Sequence, residues 1–428
     1  MKNKRIAGIS MIVLVMLAAF LLLVHKNQID LEISKPKIRL PILISGGDAS
    51  WETCVKEVAA QYMQEYPEID VEVKTSIELE GSDYNNSLII EEALGNFDGI
   101  VEMRNQNLYA QAKKIVPIPK EVSDLLNPVN EIDGQIYSIP RFYTCRGIIY
   151  NKKIFKQYGL KEPTNYQEFL QLCNVLKTKD ISPLVVGAGD RWHLKNWINV
   201  LFSKNLEENY SQWITLRNEG QVHWADKEPR KIISDFKKLF ESGYVEPGYQ
   251  TTTDTQTIEV LTEGRAAMLY SGTWMFSQIQ KADQDFELGW FFLPDEKGKP
   301  IIDTVENVGW SITSSCAENK DMYTAATEFL KYYYSTGIYR TVLQEMNGIP
   351  TLKKEVTYDT IPIQQDILKQ IREYGTSGGE NLDSPMVPEG VSSDICEILY
   401  RMIVQDKNVD DVVSDLDKEW DEKLEKKK

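Results

Sequence analysis

The amino-acid sequence predicts an α/β chain arranged as two lobes, and two observations carry that prediction. From residue 38 onward, strand-length apolar runs alternate with segments of 3.6-residue apolar periodicity, the pattern of parallel βαβ units. The chain is also 428 residues long and 42% hydrophobic, enough for a large core but too long for one ordinary small domain.

The elements follow in order. "IRLPILISGG", beginning at Ile38, is a strand ending in Gly46-Gly47. A helix then places Trp51, Val55, Val58, Ala59, Tyr62, Met63 and Tyr66 on one face, with Asp48 or Ser50 as N-cap and Pro67 as its stop. "IDVEV" alternates as a second strand, and strand, helix and strand within about thirty residues imply parallel pairing. "SLIIEEALGNFDGIVEM" reads as helix then strand, and "TNYQEFLQLCNVLKTKDISPLVVGAG" as helix, turn and strand. "GRAAMLYSGTWMF" opens with a buried strand over residues 266–270, and Gly272 is expected to supply the freedom for a tight turn. Trp274 then stands just past the strand end, where open α/β sheets place ligand-binding side chains. "AATEFLKYYYSTGIYRTVLQ" is a long helical stretch with a break near Gly337. Val412, Val413, Leu416, Trp420 and Leu424 share one face of a C-terminal helix. No internal repeat and no Pro/Ser-rich linker marks a boundary.

At the N-terminus, Lys2, Lys4 and Arg5 precede an apolar run from Ile6 to Val24. Its length, about nineteen residues or roughly 28 Å as a helix, is near one bilayer thickness. Residues 1–25 are therefore expected to be a signal peptide or an N-terminal membrane anchor. No small-x-small site follows the run and no Cys within it could carry a lipid, which favours an anchor with its basic end cytoplasmic. The remainder would then lie outside the cytoplasm. Cys54, Cys145, Cys173, Cys316 and Cys396 show no C-x-x-C spacing; one disulfide is open to them, but they read as small buried hydrophobes. A net charge of −16 argues against nucleic acid, which needs clustered Lys and Arg.

Five stretches in sequence order carry a family resemblance: "AAQYMQEYPEIDVEV", "GNFDGIVEM", "YSIPRFYTCRGIIYNKKIFKQYGLKEPTNYQEFL", "TEGRAAMLYSGTW" and "NVGWSITSSCAENKDMYTAATEFLKYYYS". Across residues 38–425 the chain resembles the extracellular solute-binding proteins of ABC importers, the carbohydrate-binding group that includes maltose-binding protein. The resemblance implies a two-lobe periplasmic-binding-protein-like fold of type II, each lobe a mixed sheet flanked by helices, with the ligand in the cleft between them. It places residues 38–140 and 308–355 in the first lobe and 145–303 and 356–428 in the second, with crossovers near 139–145 and 305–309. It also implies a carbohydrate ligand, an oligosaccharide in particular, delivery to ABC permease subunits, a monomeric receptor and no cofactor.

Sugars present apolar C–H faces rimmed by hydroxyls, so a site needs aromatic platforms and bidentate polar groups. The resemblance puts Trp274 where family members stack a sugar ring; packing at the edge of a core is its other reading. Trp51 begins the first helix at the mouth of strand one and serves either as platform or as helix packing. Asp48 beside it accepts hydroxyls or caps the helix. Glu102, Arg104 and Asn105 follow a strand and suit hydroxyls, although Glu102 stands near the position of an aromatic platform in maltose-binding protein. In "VVGAGDRWHL", Asp190 and Trp192 form a ligand loop or an ordinary turn; the third Gly of a dinucleotide fingerprint is missing. Arg141 and Tyr143 in the first crossover, and Trp310 past the second, line the cleft or pack the hinge.

Catalysis finds little support. His25, His193 and His223 have no metal-ligand spacing, and neither a G-x-S-x-G elbow nor a G-x-x-x-x-G-K loop occurs. Two well-placed carboxylates would suffice for glycoside hydrolysis, and composition does not decide that. A membrane-anchored sensing subunit of the same fold, signalling to a kinase or other membrane partner, is the alternative to a transport receptor.

Overall fold

The computed structural model describes residues 37–46, 48–76, 84–127, 129, 131–206, 212–305, 308–376, 381–384, 386–388 and 390–426. The expected N-terminal signal or anchor lies outside them, as does Gly47; among the described residues no helix is long and apolar enough to cross a membrane.

The strands form two sheets. The first contains β1 (Ile38–Ile44), β2 (Ile69–Thr75), β3 (Ile100–Met103), β4 (Ile115–Val116), β5 (Ile139–Pro140) and the late strand β11 (Gly309–Thr313). The second contains β6 (Thr144–Asn151), β7 (Ser182–Val185), β8 (Ala266–Gly272), β9 (Leu288–Phe291) and β10 (Asp303–Val305). In the first, the order is β2-β1-β3-β11-β4, with β5 also on β11. β1 is buried along most of its length because it is flanked on both sides, whereas the edge strand β2 begins with the alternation its sequence shows. The expected parallel pairing is present, Ile38 lying opposite Ile69, and β11 runs antiparallel to β3. The second sheet has the order β10-β6-β8-β7, with β9 also on β6. Both sheets are mixed.

The chain passes from the first sheet to the second between Pro140 and Thr144 and returns between Val305 and Gly309. A third passage runs beside the first: Tyr143 and Ile349 exchange backbone hydrogen bonds of 2.9 and 2.8 Å. Each sheet has its own core. Trp51, Tyr62, Trp310, Phe329 and Tyr339 fill the first lobe, while Phe169, Trp197, Trp213, Trp224 and Trp420 fill the second. The C-terminal face is part of that second core, Val412, Val413, Leu416 and Trp420 being buried.

One local expectation shifts by a few residues. The break placed near Gly337 falls earlier, between Lys320–Tyr333 and Thr336–Met346, and Gly337 lies inside the first turn of the second helix. Ser335 takes extended backbone angles there and starts the new helix, so the break needs no glycine. The cysteines are all buried and all free; burial pushes the Cys316 thiol up to about 12.

Candidate functional site

The first-lobe candidates lie where β1 and β3 end. Asp48 caps the Ala49–Glu65 helix, its Oδ1 accepting from the Ser50 and Trp51 N–H groups at 2.9 and 3.1 Å. This selects Asp48 over Ser50 as the cap, an interaction worth about 1 kcal/mol. Burial raises its carboxyl above the ordinary value, opposed by the capping bonds and by Arg141. Glu102 is fully buried and committed internally. It accepts from the Ser45 N–H (2.9 Å), the Ser45 hydroxyl (3.1 Å) and the Trp51 Nε1–H (3.0 Å), and pairs with Arg141 at 2.8 Å. The Arg141 guanidinium lies over the Trp51 ring at 4.2 Å, and Trp51 packs on Phe142 and Trp310.

Three expectations change as a result. Trp51 and Trp310 are fully buried and offer no face for a sugar, and the Glu102 carboxylate is occupied by donors of its own lobe. The helix-packing reading of Trp51 already held this signal, since it opens an apolar register. Arg104 is exposed and Asn105 half-buried, at the N-terminus of Gln106–Gln111, where the Asn105 side chain makes no capping bond. Tyr143 is part-buried at the crossover, packed against the second lobe.

The second lobe presents aromatic surface. Trp274 follows β8 as the N-cap of Met275–Ala282 and is half-buried. Gly272 does not take a left-handed turn; it makes room. A Cβ there would lie 1.8 Å from Cζ3 of Trp274, so the indole lies over the glycine itself. Gly272→Ala is expected to displace that ring without unfolding the lobe, visible as a changed tryptophan emission with an unchanged melting temperature. Trp192, at the start of Trp192–Leu206, meets Trp274 with ring centroids 6.4 Å apart and planes at 57°, an open corner. His193 stacks on Trp192 at 4.0 Å, and its Nε2 lies 2.8 Å from Asp254 Oδ1. Asp190 accepts from the Asp254 N–H at 2.6 Å, which ties the loop to the Asp254–Thr262 helix and uses one carboxylate oxygen. Gly187 and Gly189 are explained by close approach: a Cβ on Gly189 would meet the Thr251 and Thr252 carbonyls below 3 Å.

Beside this corner is a buried ionic cluster that sequence reasoning missed. Arg146 pairs with Asp303 at 3.1 Å and with Asp383. Lys195, one turn along the helix from Trp192, pairs with Asp383 at 2.8 Å, and Asn199 donates to Asp383 at 2.8 Å. Arg146 lies in register with Gly272 on β8 and with Asp303 on β10, so the cluster joins the base of the Trp274 turn to the strand that enters the second crossover. Desolvation pushes the Asp383 carboxyl up, but Arg146 and Lys195 outweigh it and hold it well below the usual range. Desolvation wins at Asp303, whose carboxyl is raised. One signal was available: an arginine inside the apolar strand "TCRGIIYN" must find a partner when buried.

The two lobes touch near these groups. Lys281, at the far end of the helix that Trp274 starts, donates to the Ser50 hydroxyl at 2.8 Å, in the first turn capped by Asp48. The aromatic corner and the first-lobe helix terminus thus lie on facing elements. The model of the bacterial extracellular solute-binding proteins matches residues 50–339. The chain belongs to that family. Membership places it outside the cytoplasm.

The family member is similar to a multiple sugar-binding protein of Streptococcus mutans, 25% identical over 235 residues; the chain spans about half the length of that relative, 54% of each being matched. An ABC transporter extracellular-binding protein of Pyrococcus horikoshii is 23% identical over 389 residues, covering 86% of this chain and 85% of its own. Among solved structures, a chitin oligosaccharide binding protein superimposes with a TM-score of 0.78 at 20% identity, covering 90% of this chain and all of its own. The raffinose complex of RafE gives 0.72 at 18% with the same coverage. At these identities the structures establish the shared fold.

Proposed function

We propose that this family member is a carbohydrate receptor of an ABC importer, binding sugar between its lobes and delivering it to a membrane permease. The observation that supports this reading is the Trp192–Trp274 corner on the second lobe. Two indoles at 57° offer a stacking face and a side wall to one pyranose ring, the geometry that C–H/π recognition uses. Lys195 stands one turn from Trp192, while Asp48, Arg104 and Asn105 supply hydroxyl-binding groups from the first lobe. The relatives support the ligand class: their names specify multiple sugars, chitin oligosaccharide and raffinose. The lobe division, with crossovers near residues 139–145 and 305–309, and a monomeric state belong to the same proposal. So does retention at the membrane through residues 1–25.

The test is thermal denaturation of the intact chain in mild detergent, with raffinose, chitin oligosaccharides and monosaccharides, beside amino acids as a control. A ligand at about a hundred times its Kd adds about 2.7 kcal/mol of stability. A rise with one sugar class is expected. A rise with amino acids alone would discard the carbohydrate assignment.

A further inference from the structure

A cationic groove lies on the second lobe away from the aromatic corner. This groove, of about 670 Å3, runs between the Tyr166–Lys177 and Lys227–Glu241 helices of the second lobe, with Tyr166 and Leu239 in its floor. Lys204 fixes its position. That residue is twelve positions, or about 18 Å, along its helix from Trp192. It lies over the Tyr166 ring at 4.1 Å and pairs with Glu296 at 2.8 Å. The groove is therefore at the opposite end of that helix from the aromatic corner.

The lining is cationic in a strongly acidic protein. Lys227, Arg230, Lys231, Ser234 and Lys238 recur at intervals that place them on one face of their helix. Five of that helix's fifteen residues are Lys or Arg against three acids, the reverse of the balance in a chain of net charge −16. Arg230 is paired with Asp410 at the rim and Lys231 with Asp235, whereas Lys227 and Lys238 are exposed and carry no ion pair among the described residues. Asp410 also shows that a carboxylate reaches this wall from a neighbouring element.

We propose that the groove docks an acidic segment of a partner polypeptide, its carboxylates taken by Lys227, Lys231 and Lys238. The mixed lining favours a polypeptide over a phosphodiester polymer. Glu296, Asp235 and the Ser234 and Ser242 hydroxyls can accept from backbone N–H groups, which a polypeptide supplies. A phosphodiester backbone offers acceptors only, and those two carboxylates repel it. The proposal is independent of which solute the interlobe site holds.

The test is fluorescence anisotropy of the intact chain with a labelled glutamate–glycine peptide, set against polyphosphate of equal charge. Binding of the peptide is expected, with Kd raised about tenfold by Lys227→Glu, Lys231→Glu and Lys238→Glu together. Reversing Lys153, Lys156 and Lys161, none of which lines the groove, is expected to change Kd less than about twofold. The matching Lys→Gln set, checked by melting temperature, separates lost docking from lost folding. Three results would overturn the proposal: no peptide binding, equal weakening by both reversals, or tighter binding of polyphosphate than of peptide.

Discussion

Arg146→Met is expected to destabilise the second lobe by about 3–5 kcal/mol, the usual cost of breaking a buried ion pair from one side. The arginine is 3% exposed and serves two carboxylates that are themselves 5% and 8% exposed. Asp383 would keep Lys195 and Asn199, so the uncompensated charge falls on Asp303. Methionine fills similar volume, which separates the charge effect from a cavity. The sign of the pH dependence follows. In the native protein the Asp383 carboxyl is held low, so its contribution is present above the ordinary carboxyl pKa of about 4 and is lost as pH falls through the acid range. In the variant, Asp303 loses its counterion and its already raised pKa climbs further, so the penalty at neutral pH is relieved as pH falls. Urea denaturation of the variant at pH 7 and pH 5 measures the relief at Asp303, and of the native protein at pH 5 and pH 3 the loss of the Asp383 contribution. Adding Asp303→Asn should recover part of the loss at pH 7. A cost below about 1 kcal/mol would mean that water, and not the arginine, stabilises these carboxylates.

Much of the fold was legible because apolar periodicity reports burial directly. β1, the 49–65 helix and β2 were readable as one βαβ unit, and the C-terminal face from Val412 to Trp420 as core. What was not legible depended on contacts between distant residues. Nothing near Glu102 in sequence announces that Ser45, Trp51 and Arg141 would saturate it, because those donors come from three other segments. Asp383 was invisible for the same reason: its partners at 146, 195 and 199 are far away in the chain. Gly272 was misread from the opposite direction. Its residue type suggested a backbone requirement, whereas its neighbour Trp274 needs the missing Cβ. Aromatic residues on a lobe's face and in its core look much alike in sequence, so beyond the apolar register that Trp51 opens, only burial separated Trp51 and Trp310 from Trp192 and Trp274.

Trp274→Ala is expected to weaken sugar binding by about 2 kcal/mol, a roughly thirtyfold rise in Kd, while leaving the unliganded fold close to native stability. The asymmetry comes from where the ring lies. Trp274 is half-buried, lying over the backbone of Gly272 and against the edge of the second lobe's core, so removing it costs the fold less than losing a fully buried tryptophan, whereas a ligand would lose its stacking face entirely. Trp192 provides a control on the geometry. If the two rings form one corner, Trp192→Ala should also weaken binding, and the double variant should cost less than the sum, since either loss opens the same wall. Trp274→Phe should retain part of the affinity, because a smaller ring still offers an aromatic face. Titration calorimetry with the sugar identified by thermal denaturation, together with melting curves without ligand, separates binding from folding. A fall in melting temperature as large as that of Arg146→Met, with unchanged Kd, would make Trp274 a core residue and move the ligand elsewhere in the cleft.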